Sequence, residues 1–181
     1  MLNAAVLGRG RLEDAHGWIL AGGLLPDLAM FVFVGWYAFV LGEAPSQIFG
    51  VEYFRPGWQL TFDLMNSIPL ASAGLALAWW RGSARWSGLF ASVILHCLLD
   101  LPLHHDDGHR HFLPLSDWRF ESPVSYWDAA HLGWLGAGIE AALATGAGVV
   151  LALRARQRWI GAGLAVLGSL HLLVYVTAYA L

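Results

Sequence analysis

Charge is scarce in this chain: Asp, Glu and Arg together make up 13% of its 181 residues, about half of what a soluble domain carries. Lysine is absent, so ten arginines carry all of the fixed positive charge, and the net charge of −3 is too small to imply an anionic partner such as nucleic acid. The single cysteine, Cys97, excludes an internal disulfide. Lying beside His96 in an apolar run, it reads as a small buried residue. No Gly-rich phosphate loop, CxxC pair or Ser-His-Asp order is present, which sets aside nucleotide, haem and serine-hydrolase chemistry. Nor does any repeat or low-complexity linker divide the chain, so one domain is expected.

What the chain has instead is apolar length. Hydrophobic residues make up 57% of it, in long runs broken by short polar connections. The pattern predicts an all-α polytopic membrane protein of about five transmembrane helices with a His/Asp-rich outer loop, the spans lying near 15–41, 59–80, 86–103, 129–153 and 159–181. Each approaches the ~20 residues that cross a bilayer. The first is too long for a signal-peptide core and shows no convincing cleavage site, so it reads as a retained helix. Trp58, Trp79, Trp80, Trp86, Trp127 and Trp159 mark span ends, as expected of aromatics at headgroup level. Small residues crowd the last two spans (GWLGAGIEAALATGAG and IGAGLAVLGSL), allowing close helix approach in lipid.

Arginine placement predicts the orientation. Arg9, Arg11, Arg81, Arg85, Arg154, Arg156 and Arg158 fall on one side of the spans, and only Arg55, Arg110 and Arg119 on the other. The positive-inside rule then puts the N-terminus in the cytoplasm and the C-terminus outside. Residues 104–127 would face the periplasm or exterior of a bacterial inner membrane.

Ionisable residues inside spans are costly, at least ~2.5 kcal/mol on insertion scales, so each asks for a partner. The spans hold Asp27, then Asp63 with Asn66, then His96 and Asp100, then Glu140, then His171. Asp27 is 12 residues beyond Ala15, His96 is 10 beyond Trp86, His171 is 12 beyond Trp159, and Glu140 is 13 before Leu153. At about 1.5 Å per residue, all lie near one mid-membrane level. Asp100 sits one turn further out on the face of His96, while Asp63 and Asn66 lie toward the outer side. These groups can therefore share one pocket that opens outward.

The stretch HCLLDLPLHHDDGHRHF continues this chemistry with His104, His105, Asp106, Asp107, His109 and His111. Imidazole and carboxylate are the common ligands of zinc and related divalent metals. A solvated loop also tolerates such residues freely, and that is the plainer expectation for His105, Asp106, Asp107 and His109. His16, 11 residues from Asp27, stands about 16 Å away along a continuous helix. It can join Asp27 only if the Gly22, Gly23 and Pro26 stretch breaks the helix.

The segment DAHGWILAGGLLPDLAMF, with a His ahead of an LLPD motif, resembles the opening of a small bacterial family of membrane-bound metal-dependent hydrolases. The H-x-x-x-D of His96 and Asp100, followed by His104, is similar to that family's central motif, and distantly to zinc-dependent phospholipase C. Glu140 sits where relatives tend to carry an acid. The resemblance spans roughly residues 16–140. Where relatives show His-Ser in the second span, this chain has Asn66-Ser67, and Asn is a poor zinc ligand.

The expectation is a metal-dependent hydrolase acting on a phosphoester or another lipid-linked bond at the outer leaflet. A divalent ion, most simply zinc, would be held by Asp27, His96 and Asp100, with His104 or His171 completing the shell. Glu140 or Asp63 would act as general base or orient a ligand, and Asn66 would hold a substrate oxygen. The alternatives are a non-catalytic metal-handling membrane protein and a structural one whose polar groups only fix helix packing.

Overall fold

The structure, a computed structural model, describes residues 2–7, 12, 15–125, 128–155 and 158–179. Arg9, Arg11, Arg156 and Trp127, which enter the orientation and span-end arguments, lie outside the described residues. Every regular element among the described residues is helical. A short α1 (Leu2–Leu7) precedes α2 (His16–Gly35), which continues as a wider five-residue turn, Trp36–Val40. Then come α3 (Pro45–Gln47), α4 (Pro56–Met65), α5 (Ile68–Trp80), α6 (Ala84–Asp100), α7 (Gly133–Arg154) and α8 (Arg158–Tyr179). Four stretches are long and apolar enough to cross a membrane: His16–Val40, Pro56–Trp80, Ala84–Leu103 and Gly133–Arg154. The fifth expected span, at α8, has a shorter apolar stretch, Gly161–Thr177, and is not among these four.

The surface is inside out by soluble standards. Phe31, Phe39, Leu153 and Trp159 are all exposed, while Asp63, Asn66 and Ser92 are buried. Such a surface suits lipid, where apolar side chains need no cover and polar ones must find partners within the bundle.

The second span differs from the unbroken helix expected from 59 onward. It begins at Pro56 and breaks between α4 and α5 at Asn66–Ser67. The reason lies in the sequence N-S-I-P: Pro69 has no N–H for the helix ladder, and Ser67 caps the new helix by accepting from the Leu70 N–H at 3.2 Å. A break at this depth needs substitute partners. The segment after α6 supplies them. The Ile68 N–H donates to the His111 carbonyl at 2.9 Å, His111 Nδ1 bonds the Asn66 carbonyl at 3.0 Å, and the Ser67 hydroxyl donates to the Leu113 carbonyl.

Two crossings set the bundle. At α2–α6, a Cβ on Gly22 would stand 2.2 Å from the Leu89 carbonyl oxygen, so only glycine permits this approach. Ser92 then donates to the Ile19 carbonyl at 2.6 Å, and Asn3 from α1 donates to the Ser92 hydroxyl at 2.8 Å. At α7–α8, Gly148 and Gly168 make the corresponding contact. Around the end of the bundle where α2 and α6 finish, Phe33, Tyr37, Ile48, Tyr53 and Phe62 form an aromatic cluster with Trp58. This cluster anchors the 41–55 connection.

Candidate functional site

The close α2–α6 approach brings Asp27 and His96 together. His96 Nδ1 bonds the Gly23 carbonyl at 3.0 Å, which fixes the ring and turns Nε2 toward α2. Nε2 lies 3.7 Å from Asp27 Oδ1, too far for a hydrogen bond. It is buried with no hydrogen-bond partner among the described residues.

One turn on, Asp100 Oδ1 meets His104 Nε2 at 3.0 Å, and Asp107 Oδ2 meets His104 Nδ1 at 2.9 Å. Burial works against a charge on His104, but hydrogen bonds and attraction from Asp100 and Asp107 outweigh it and push its pKa up to about 10. His104 is therefore an imidazolium clasped between two carboxylates. Asp27 is within electrostatic reach of His96, Asp100 and His104. Glu140 is within reach of His171, Asp100, Asp27 and His104. Titratable groups on α2, α6, α7 and α8 thus lie within electrostatic reach of one another. Glu140 and His171 are exposed, and His171 Nδ1 is turned to Leu167 of its own helix at 3.1 Å.

Asp63 is spoken for. It is fully buried, with Oδ1 accepting from the Arg110 backbone N–H at 2.9 Å and Oδ2 from Arg110 Nε at 2.6 Å. Both oxygens anchor the outer segment, which leaves Asp63 without a free oxygen for the general-base role expected of it. Asn66 is buried too, and its Nδ2 donates back to the Phe62 carbonyl at 3.1 Å. Its main-chain oxygen faces Cys97 and His111, so it lines the break between α4 and α5. His16 stays apart. The helix runs continuously through Gly22, Gly23 and Pro26, so His16 and Asp27 do not meet.

The outer segment is not the freely solvated loop expected for His109 and Asp107. His104, His109 and His111 are all buried, and Asp107 is largely so. Burial pushes the His109 pKa down to about 4 and lowers that of His111, so both are neutral at pH 7. Fasteners hold the segment down. Ser122 bonds Pro102 and His104, the His105 ring stacks on His131 at 3.7 Å, and the Tyr53 hydroxyl donates to the Asp107 carbonyl at 3.1 Å. His131 in turn holds Asp128 at 2.6 Å. Asp128, His131 and the burial of His109 and His111 were not evident from spacing alone.

The donor chemistry fits a divalent cation, and the orphaned His96 Nε2 beside Asp27 is the clearest mark of it. The donors nevertheless stand in pairs. Among the described residues no three His, Cys, Asp or Glu side chains are drawn close enough to clasp an ion as they stand. No family model, curated protein or solved structure matches the chain, so its own geometry has to carry the functional reading.

Proposed function

We propose that this chain is a metal-dependent membrane hydrolase of the kind its LLPD and H-x-x-x-D motifs resemble, acting on a phosphoester or another lipid-linked bond at the outer leaflet. One observation carries the reading: the buried Nε2 of His96 has no hydrogen-bond partner among the described residues, although Nδ1 is pinned to the Gly23 carbonyl and Asp27 stands 3.7 Å away. Pinning one ring nitrogen to a carbonyl while the other is left free is how proteins orient a metal-binding imidazole. Two atoms bound to one zinc at ~2.0 Å stand about 3.3 Å apart, so the pair needs only a small closure.

Asp27, His96 and Asp100 would hold the ion, with His104 as a further nitrogen donor once it gives up its proton and turns from Asp100. A bound zinc lowers the pKa of its water toward neutrality. Glu140, exposed and within electrostatic reach of Asp27 and Asp100, would accept the proton from the attacking water. Arg110 keeps Asp63 neutralised and holds the outer segment in place. Seven arginines at one end of the spans support an inner-membrane placement with the site open to the outside.

The double pairing of His104 favours a second reading, in which the same groups form a packing network or a non-catalytic metal site. Elemental analysis separates the two. The reading expects about one tightly held zinc per chain, lost in the His96→Ala/Asp100→Ala double variant, and phosphomonoester release from phosphatidylglycerol vesicles followed by phosphorus NMR. Equal, sub-stoichiometric metal in both proteins would leave the packing network standing. Metal without release would leave metal handling. A reporter fused after Asp117 should be active only in its periplasmic form.

A further inference from the structure

The first span ends at Val40 and the second begins at Pro56. Where these two ends meet lies a cleft of about 370 Å³, lined by Tyr37, Arg55, Gly57, Trp58 and Thr61. Its size falls in the ~300–1,000 Å³ range of pockets that hold small ligands. None of its residues belongs to the site proposed at Asp27 and His96. Its aromatic walls are fixed: Tyr37 and Trp58 both pack on the buried Phe33, with ring centres 4.9 and 5.1 Å away.

The cation in the cleft is held ready. Arg55 is 61% exposed, while its partner Glu52 is buried. Arg55 Nε lies 2.7 Å from Glu52 Oε2, and Nη2 donates to Oε1 at 2.8 Å. Gln47 donates to the same Oε1 at 3.3 Å. One edge of the guanidinium is therefore taken, and Nη1 keeps its two N–H groups for another acceptor. A guanidinium ordered in advance by one carboxylate loses little freedom in meeting a second oxyanion. Its planar fork suits phosphate in particular. The first turn of the ten-residue α4 adds the Gly57 and Trp58 N–H groups, which have no carbonyl of their own helix to bond.

Along α4 the lining changes character. Gly57, Thr61 and Leu64 share one face of the helix, at i, i+4 and i+7. The Thr61 hydroxyl donates to the Gly57 carbonyl at 2.8 Å, and Leu60 and Leu64 are exposed apolar residues further into the span. Polar groups at the span's end that give way to apolar surface inward match a lipid's head and chains. A free phosphate would use only the first part.

We infer that this cleft binds the phosphate of a phospholipid headgroup, seated on Arg55 beside Tyr37 and Trp58, with its chains running along α4. The lipid is a bound one and needs no turnover, so the inference does not depend on the hydrolase reading.

The test is lipid binding to purified full-length protein, delipidated in detergent, with chelator present to prevent metal-dependent turnover. Native mass spectrometry during titration with phosphatidylglycerol should show one lipid held more tightly than the rest. Gly57→Leu fills the cleft without collision, since a Cβ there meets nothing within 4 Å. It should weaken that lipid about 10-fold or more, the worth of a charged hydrogen bond. Glu52→Gln/Arg55→Gln removes both charges together and should weaken it as much. If that double variant fails to fold, Gly57→Leu decides alone. Diacylglycerol, which lacks the phosphate, should not take the tight place, and excess inorganic phosphate should not displace the lipid. Unchanged tight binding in Gly57→Leu would overturn the site, as would diacylglycerol binding equally well. Displacement by inorganic phosphate would make the cleft a free-anion site and overturn the lipid assignment. Loss of the tight lipid in His96→Ala/Asp100→Ala, with retention in Gly57→Leu, would move it to the proposed hydrolase site instead.

Discussion

At the α2–α6 crossing a Cβ on Gly22 would stand 2.2 Å from the Leu89 carbonyl oxygen, and at the α7–α8 crossing one on Gly148 would stand 2.9 Å from that of Leu164. Both pairs use small residues to bring backbones together, as helices do in lipid. Their uses differ. Within about a turn of Gly22 lie the Gly23 carbonyl that orients His96, the Ile19 carbonyl that receives Ser92, and Asp27. Near Gly168 a polar contact crosses between helices, from the Thr145 hydroxyl to the Gly168 carbonyl at 3.0 Å. Glu140 and His171 lie as near to that contact, five residues from Thr145 and three from Gly168, yet both stay exposed. Close approach alone does not build a site. It does so at α2–α6 because polar groups there bond across the crossing, His96 to the Gly23 carbonyl and Ser92 to that of Ile19, whereas His171 bonds its own helix.

The strongest way to break this comparison is to wedge each crossing in turn. Gly22→Leu drives a side chain into the Leu89 backbone, which cannot swing aside. It should cost at least the ~3 kcal/mol at the upper end of ordinary over-packing, and it should also abolish zinc retention by separating His96 from Asp27. Gly168→Leu should cost ~1–3 kcal/mol and leave zinc retention intact. Thermal unfolding in detergent and metal content, measured on the same preparations, check both. Equal metal loss in the two variants would mean that the site depends on the bundle as a whole and not on the α2–α6 crossing.

Next in size is the anchor of the outer segment. Arg110→Met leaves the fully buried Asp63 carboxylate without its guanidinium, although the Arg110 backbone N–H remains. Stranding one partner of a buried ion pair costs ~3–5 kcal/mol. With the Arg110 side chain itself 27% exposed, a loss of about 3 kcal/mol is expected. Asp63→Asn in the same background should recover part of it by removing the stranded charge. If both variants melt like the wild type, Asp63 is neutral in the folded chain and the anchor is only a hydrogen bond.

A smaller effect distinguishes the two regions by pH. The folded pKa of His104 is raised from 6.5 to about 10 by Asp100 and Asp107. Its contribution is therefore complete below the unfolded value and fades as pH rises through the folded one. In metal-free protein the outer segment should loosen between about pH 7 and 10 while α7 and α8 do not. Amide hydrogen exchange over residues 104–125 and 140–170 would read the difference, after correction for the intrinsic rate. His104→Phe should remove the alkaline change, and uniform loosening of both regions would assign it elsewhere.

How far this could be read in advance depends on the element. The spans were legible because apolar length is a local property, and His16–Val40 and Ala84–Leu103 fall within two residues of the expected 15–41 and 86–103. The shared level of Asp27 and His96, with Asp100 one turn further out, followed from counting, since helices rise evenly. The break at Asn66–Ser67 had a visible signal, a Ser cap just ahead of Pro69, which the continuous apolar run around it concealed. The burial of His109 and His111 had none. An irregular segment has no periodicity to mark an inner face, and what pulls it inward is Asp63, 47 residues from Arg110 along the chain. Asp63 therefore read as a candidate base when it is an anchor.

Glu140 gives the smallest stability effect and the most pointed test of how α7 joins the site. It is exposed on its helix, with no hydrogen bond or ion pair holding it among the described residues, yet Asp27, Asp100, His104 and His171 all act on its charge. A group with no contact to lose should tolerate Glu140→Gln within about 0.5 kcal/mol. Gln keeps the size and polarity and removes only the ability to accept a proton. If Glu140 takes the proton from the attacking water, the variant should keep its zinc and its thermal midpoint and lose ~100-fold or more in phosphomonoester release from phosphatidylglycerol vesicles. His171→Gln should be nearly silent in the same assay, because His171 Nδ1 is turned to Leu167 of its own helix. Unchanged release in Glu140→Gln would leave the α7–α8 hairpin as packing alone, with all of the chemistry on α2, α6 and the outer segment.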